Sequence, residues 1–300
     1  VSKIERKSLL IVDSMALLFR GFFATAVSGQ LMRTKSGLYT NGVYQFTKYL
    51  LDAISKISPT HVACAFDMGK ETFRNQIYSE YKANRGEPPE ELIPQFDLVR
   101  ELIQSFNIPI FGVEGYEADD IMGTLAKNAV HSGFQVYLLT GDGDALQLLD
   151  DNVTVVMMKK GFGNYEFIRK ERLFEVKGIT SPDQIIELKS LMGDASDNIP
   201  GCPGVGAKTA VKLLNEFRDL DGIYQNIDQI KGKIKERLLE HRELIFLSRD
   251  LATIRTDIPL ECDFNTCQLS FEADKVKQKF EELEFTSLSS WVKKIPIQVG

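Results

Sequence analysis

Four cysteines and three histidines in 300 residues leave little material for two common kinds of site. Cys64, Cys202, Cys262 and Cys267 are scattered, and no histidine lies close enough to the last two to complete a zinc knuckle. The expectation is free, reduced thiols. His61, His131 and His241 are equally dispersed, so a histidine-centred nucleophilic site has no support. No apolar run approaches the roughly 18 residues that a membrane span requires. The run at 8–12 stops at Asp13, too short for a secretory leader and without a small-residue cleavage site, so the sequence predicts a cytoplasmic protein with no membrane partner. Repeats and low-complexity stretches are missing as well. Excess positive charge is missing too: the formal net charge is −6, the reverse of the usual nucleic-acid-binding footprint.

What remains is an ordinary globular composition, 43% hydrophobic and 26% charged, long enough for one or two domains. Short apolar runs at 8–12, 61–66, 134–140 and 153–158 read as buried strands. Helical patterns at about 41–57, 91–106 and 118–132 separate them. Strands alternating with helices predict an α/β fold with a mainly parallel central sheet covered on both faces. After about residue 180 the pattern turns helical, with a mixed extension over 253–300. The predicted division is a core at 1–180 and a helical region at 181–300.

Acids fall where such a sheet keeps its ligands, beyond the carboxyl ends of the strands. Asp13 ends the first run, Asp67 follows the second, and Asp142 and Asp144 follow the third. Glu117, Asp119 and Asp120 open a helix, where carboxylates suit the positive end of the dipole. Asp194 and Asp197 lie three residues apart in a turn. One such acid reads as a helix cap. Nine together repel one another and resist desolvation unless cations bind them. Hard divalent ions answer that need: Mg²⁺ takes carboxylate oxygens and leaves room for phosphate, and Mn²⁺ substitutes for it. Two such ions about 4 Å apart support in-line displacement at phosphorus with no side-chain nucleophile. Setting the nine carboxylates aside turns the net charge from −6 to +3, which is compatible with a basic surface elsewhere.

Two further segments fit a polyanion. Residues 68–90 are polar, with Lys70, Arg74, Lys82 and Arg85 interleaved with Phe73, Tyr78 and Tyr81; few apolar anchors predict a long, mobile excursion. Residues 199–210 form a Gly- and Pro-rich turn running into a helix. There Gly201, Gly204 and Gly206 allow close backbone approach to a phosphate, and Lys208 and Thr209 sit at the helix start. It is not a P-loop, because Ala207 separates Gly206 from Lys208. The open readings are a packing corner and a helix-hairpin-helix that grips a backbone without reading sequence. The run Lys231, Lys233, Lys235, Arg237 extends that face or is simply solvated.

Taken together, LLIVDSMALLFRGFFA (9–24), AFD (65–67), FR followed after six residues by YKANR (73–85), EGYEADD (114–120), TGDGDALQLL (140–149) and GDASDNIPGCPGVGAKTA (193–210) resemble the bacterial and phage 5′-nuclease, or flap endonuclease, family. The chain is similar to the N-terminal 5′-3′ exonuclease domain of bacterial DNA polymerase I over about 8–290, in a stand-alone form. The resemblance implies a PIN-like nuclease core, a helical arch at about 68–90 and a helix-hairpin-helix in the C-terminal part. It implies metal-dependent hydrolysis of phosphodiester bonds in DNA, as a 5′-3′ exonuclease and 5′-flap endonuclease in replication and repair. Asp13, Asp67, Glu117 and Asp119, with Asp120 beside them, would hold a first Mg²⁺; Asp142, Asp144, Asp194 and Asp197 would hold a second. Arg74, Lys82 and Arg85 would engage the scissile phosphate from the arch, with Arg20 and Tyr81 as further nucleic-acid contacts. The hairpin would bind duplex, often with K⁺. The implied partners are 5′ flaps, nicks, branched DNA and RNA-primed ends, met by a monomer. One departure is Gly143, where many relatives carry Lys between the two acids. A non-catalytic branched-DNA-binding module is the alternative. A haloacid-dehalogenase-type phosphatase is disfavoured, since Met15 stands where that chemistry needs a second acid.

Overall fold

The structure, a computed structural model, describes residues 7–26, 29 and 31–295. Strand β1 (Ser8–Asp13) leads into helices α1 (Ser14–Ala26) and α2 (Asn41–Ile57). Strand β2 (His61–Ala65) is followed by the short α3 (Phe73–Ile77) and by α4 (Gln95–Ser105). The two-residue β3 (Ile110–Phe111) precedes α5 (Ala118–His131). Strand β4 (Gln135–Thr140) runs through a 3₁₀ segment, Gly143–Leu148, to β5 (Val153–Met158) and β6 (Tyr165–Ile168). The sheet order is β3-β2-β1-β4-β5-β6, parallel except for β6.

β1 is central and apolar throughout, and its alternating side chains feed two cores. Leu10 and Val12 pack with α1, α2 and α4; Leu9 and Ile11 pack with α5. Burial on both faces is why the strands read as continuous apolar runs rather than alternating ones. The order reverses between β1 and β4, the switch point at which open α/β sheets hold ligands. The strands expected at 8–12, 61–66, 134–140 and 153–158 match β1, β2, β4 and β5 to within a residue at each end. β3 and β6 escaped the pattern reading because they are two and four residues long.

A second set of helices continues the chain: α6 (Leu173–Lys177), α7 (Gln184–Met192), α8 (Ala207–Phe217), α9 (Leu220–Gln225), α10 (Gly232–Glu240) and α11 (Arg242–Ala252). Helices α7 to α11 share their own core, built from Leu191, Cys202, Leu214, Ile223, Leu238 and Ile245, whereas Leu173 of α6 packs with the sheet. The chain then returns to the sheet. The backbone N–H of Leu269 donates to the Thr60 carbonyl at 2.9 Å. Phe271, Phe280 of α12 (Ala273–Glu282) and Phe285 join the core on the α2 and α4 side. The last part of the 181–300 region thus packs with the first half of the chain. Among the described residues no helix is long and apolar enough to cross a membrane.

Candidate metal and nucleic-acid site

The acids gather at the carboxyl edge of the sheet around the β1/β4 switch point. Asp13 closes β1 and caps α1: its Oδ1 accepts from the Ala16 N–H at 3.1 Å, and its Oδ2 from Thr140 Oγ1 at 2.8 Å. Asp67, two residues past β2, accepts from the Ala118 N–H at 2.7 Å and so sits at the start of α5. Asp119 lies in the first turn of that helix. Asp142 follows β4, where its N–H donates to Thr140 Oγ1 at 3.1 Å and its Oδ1 accepts from the Asp144 N–H at 2.9 Å. Thr140 thereby aims two of the acids, a role the sequence reading did not assign.

Asp13, Asp67 and Asp119 are hard to ionise where they stand. Burial first, then the neighbouring Asp67 and Asp142, pushes Asp13 up to about 6. Burial, with Glu117 adding to it, raises Asp67. Asp119 is raised well above the usual carboxylate range by burial and by Asp13 and Asp142. A buried acidic edge with those preferences suits a hard cation, which removes both penalties.

A second group adjoins it. Oxygens of Asp144, Asp194 and Asp197 lie within 4.8 Å of one another, a spacing that a single small divalent ion can close. Burial and Asp142 push Asp144 up to about 6. Burial also opposes ionisation of Asp194, but hydrogen bonds from Lys189 and Ser196 prevail and hold it at about 2. Lys189, on the last turns of α7, bridges the group, pairing with Asp144 and reaching Asp194 at 2.7 Å. The sequence reading missed Lys189; its signal was a lysine five residues before Asp194, in the helix that leads to it. The donor set, carboxylates with no histidine or thiolate, suits a hard divalent ion.

Segment 68–92 covers this edge and differs from the expected arch. It contains one five-residue helix, α3, and then turns, and it is seated through charges. Lys82 pairs with Glu117, and its N–H donates to the Asp197 carbonyl at 2.9 Å. Arg85 pairs with Asp197, and Asn84 donates to the Ala195 carbonyl at 2.7 Å. Both cations stand within the acid cluster, paired with carboxylates.

Three expected site residues do something else. Arg74 is 2% exposed, and its guanidinium is saturated. It donates to Asp120 through two nitrogens at 2.8 Å, to Glu117 at 3.1 Å, and to the carbonyls of Leu251 and Thr253. No donor is left for a scissile phosphate. Asp120 is fully buried, and its oxygens accept from Arg74 and from the N–H groups of Glu117 and Arg255, so it stands apart from the metal-competent acids. Tyr81 is 3% exposed and donates its hydroxyl to Glu117 at 3.0 Å, which leaves its ring no face for a base. Sequence spacing placed all three in the right neighbourhood but could not distinguish an inward side chain from an outward one.

Arg20 lies half-buried at the rim, donating to the Lys159 carbonyl, with its guanidinium close to Gly141. The hairpin is the connection from α7 to α8. Gly201 and Gly204 take positive φ angles of 62° and 79°. A Cβ at Gly201 would strike the Gly193 backbone, and one at Gly204 the Arg237 guanidinium, so neither admits a side chain. Arg237 donates to the Gly204 carbonyl at 2.9 Å and holds the turn. Gly206 precedes α8, where Lys208 is exposed and Thr209 half-buried. Of the basic run, Lys235 pairs with Asp228 and Arg237 with the turn, while Lys231 and Lys233 face solvent.

Two family models match successive parts of the chain. Residues 8–178 match the model of the 5′-3′ exonuclease N-terminal resolvase-like domain, and residues 180–275 that of the 5′-3′ exonuclease C-terminal SAM fold. The chain is 44% identical over 282 residues to the 5′-3′ exonuclease of Bacillus subtilis, covering 91% of this chain and 93% of that protein. It is 45% identical over 284 residues to DNA polymerase I of Bacillus caldotenax, covering 94% of this chain but only 32% of the polymerase. The chain thus spans about a third of the polymerases it matches. Among solved structures, bacteriophage T5 5′-exonuclease with bound zinc superposes with a TM-score of 0.68 at 26% identity, covering 93% of this chain and 99% of that one. The phage T5 flap endonuclease in a complex with DNA and metal ions gives 0.67 at 25% identity, covering 96% and 99%. The catalytic core of Rad2 with DNA substrate, at 15% identity, shares the fold, with a TM-score of 0.62 and 97% and 92% covered.

Proposed function

Because the chain belongs to the 5′-3′ exonuclease family, we propose that it is a metal-dependent, structure-specific 5′ nuclease that hydrolyses phosphodiester bonds at 5′ flaps, nicks and other 5′-ended branches of DNA, RNA-primed ends included, as a cytoplasmic monomer. The observation that carries this is the convergence of two carboxylate groups at the β1/β4 switch point with Lys82 and Arg85 set among them. Asp13, Asp67 and Asp119, with Glu117 behind them, would hold one Mg²⁺. Asp144, Asp194 and Asp197 would hold another, with Asp142 between the two.

Divalent ions bound there supply activation of water and stabilisation of the leaving oxygen. The chain's own part is positional. Thr140 orients Asp13 and the backbone at Asp142, and the start of α5 orients Asp67. Lys82 and Arg85 exchange their carboxylate partners for the scissile phosphate and neutralise its charge. The hairpin at 201–209 holds the duplex through backbone N–H groups and Lys208, with K⁺ as its ion. Those contacts carry no base information, which matches selection by shape rather than sequence.

The test is cleavage of a 5′-labelled flap duplex in Mg²⁺, in EDTA and with Asp142→Asn. The expected outcome is a short 5′ product that needs metal and is lost in the variant. Tight flap binding without any product would instead establish the non-catalytic binding module.

A further inference from the structure

Beside the second acid group lies a pocket of about 490 Å³, whose lining includes Asp142, Gly143, Asp144 and Asp194 together with Lys177 and Lys189. Lys189 is committed to Asp144 and Asp194. Lys177, the last residue of α6, is exposed, and its amine makes no ion pair among the described residues. It reaches the gap between Asp142 and Asp144: a Cβ built on Gly143 would lie 3.7 Å from Lys177 Nζ, with no other heavy atom beyond its chain neighbours within 4 Å. Gly143 is not among the residues with positive φ, so backbone conformation does not require glycine there. Its effect is to leave that approach open to the amine.

We propose that Lys177 and this pocket form a metal-gated phosphate site, which receives a nucleotide phosphate next to the second acid group. The inference rests on the metal-dependent reading above. Asp197, which shares the ion site, adds a fourth carboxylate to the three of the wall, so without metal four face two ammonium groups, a balance of −2. A divalent ion on Asp144, Asp194 and Asp197 competes with Lys189 for the same oxygens and brings that balance to 0. Lys177 alone would be held near the acids as a counter-charge. With the acids satisfied, it and Lys189 become a pair of donors for an anion at the pocket mouth. Lys177 thus supplies from α6 a cation that position 143 does not carry.

The experiment is calorimetric titration with thymidine 5′-monophosphate, in Mg²⁺ and in EDTA, after a separate titration with Mg²⁺ alone. The proposal expects binding only with Mg²⁺, about tenfold weaker in Lys177→Ala, as for loss of one charge-assisted contact. Lys177→Arg should retain it, and Lys177→Ala/Gly143→Lys should regain it, because a side chain at 143 enters the same space. Equal affinity in wild type and Lys177→Ala, or no nucleotide binding by a protein that binds Mg²⁺, overturns the proposal. Failure of Mg²⁺ itself to bind would bring down the metal-dependent reading first, and the phosphate site with it. Lys177 is exposed at a helix end, so its variants should keep the wild-type thermal transition, which the same samples report.

Discussion

Asp13 and Asp144 share an unusual preference: each holds its proton up to about pH 6, chiefly because of burial and second because of neighbouring acids. Their ordinary value is 3.8, so between about pH 4 and 6 the folded chain binds more protons at these sites than the unfolded chain does. Their contribution to stability is therefore present below pH 4 and is lost as pH rises through 6. Ionising them in the metal-free protein works against the fold, and a bound divalent cation reverses that. The expected outcome is a Mg²⁺-induced rise in melting temperature that is large at pH 7.5 and small at pH 5, accompanied by proton release on binding. A shift of equal size at both pH values would mean that the metal binds elsewhere. The acids themselves were legible, because Asp13, Asp67 and Asp142 follow apolar runs and a strand end leaves little choice of direction. Asp119 and Asp120 are neighbours in sequence, and only the helix turn separates an acid facing the site from one buried behind it. No pattern in the sequence fixes that phase.

At the scale of elements, segment 68–92 shows most plainly what pattern reading loses. Hydrophobic periodicity finds elements that are held by apolar burial, and this segment offers little of it beyond Leu92 and the seating of Tyr78 and Tyr81 against Leu251 and Ile199. It is held instead by Arg74, which joins α3 to the start of α5 and to the backbone at the end of α11. Lys82 and Arg85 then fall onto Glu117 and Asp197. A polar stretch that reads as a free excursion is thus seated through charges whose partners lie 35 and more residues away in sequence. Removing the guanidinium leaves Asp120 buried and uncompensated, a change that costs roughly 3–5 kcal/mol, a large part of the stability of an ordinary domain. Urea unfolding of Arg74→Ala should show that loss with an unchanged slope. A loss below about 1 kcal/mol would mean that Asp120 is neutralised or rehydrated in the variant. Cleavage should fall as well, because Lys82 and Arg85 lose the base from which they reach the acids.

For the molecule as a whole, the α/β class and the helical second half could be read from periodicity, whereas the route of the last forty residues could not. An extension of mixed pattern gives no indication of which face it covers, and the sequence division at about 180 assigns all of it to the hairpin side. In the structure, Leu269, Phe271, Val276, Phe280, Leu283, Phe285 and Leu288 complete the core over α2 and α4. Phe106 meets Phe271 and Phe280 at ring distances of 5.2 and 6.1 Å. Each such side chain contributes about 1.5–3 kcal/mol on burial, so losing seven removes roughly 10–21 kcal/mol, as much as or more than the 5–15 kcal/mol by which domains are usually stable. A chain ending at residue 263 should therefore fail to fold, even though every proposed metal and phosphate contact precedes that point. Circular dichroism and cooperative thermal unfolding of the truncated chain provide the check. A native-like transition would show that the α2–α4 face closes without the extension, and that the nuclease half is independent of it.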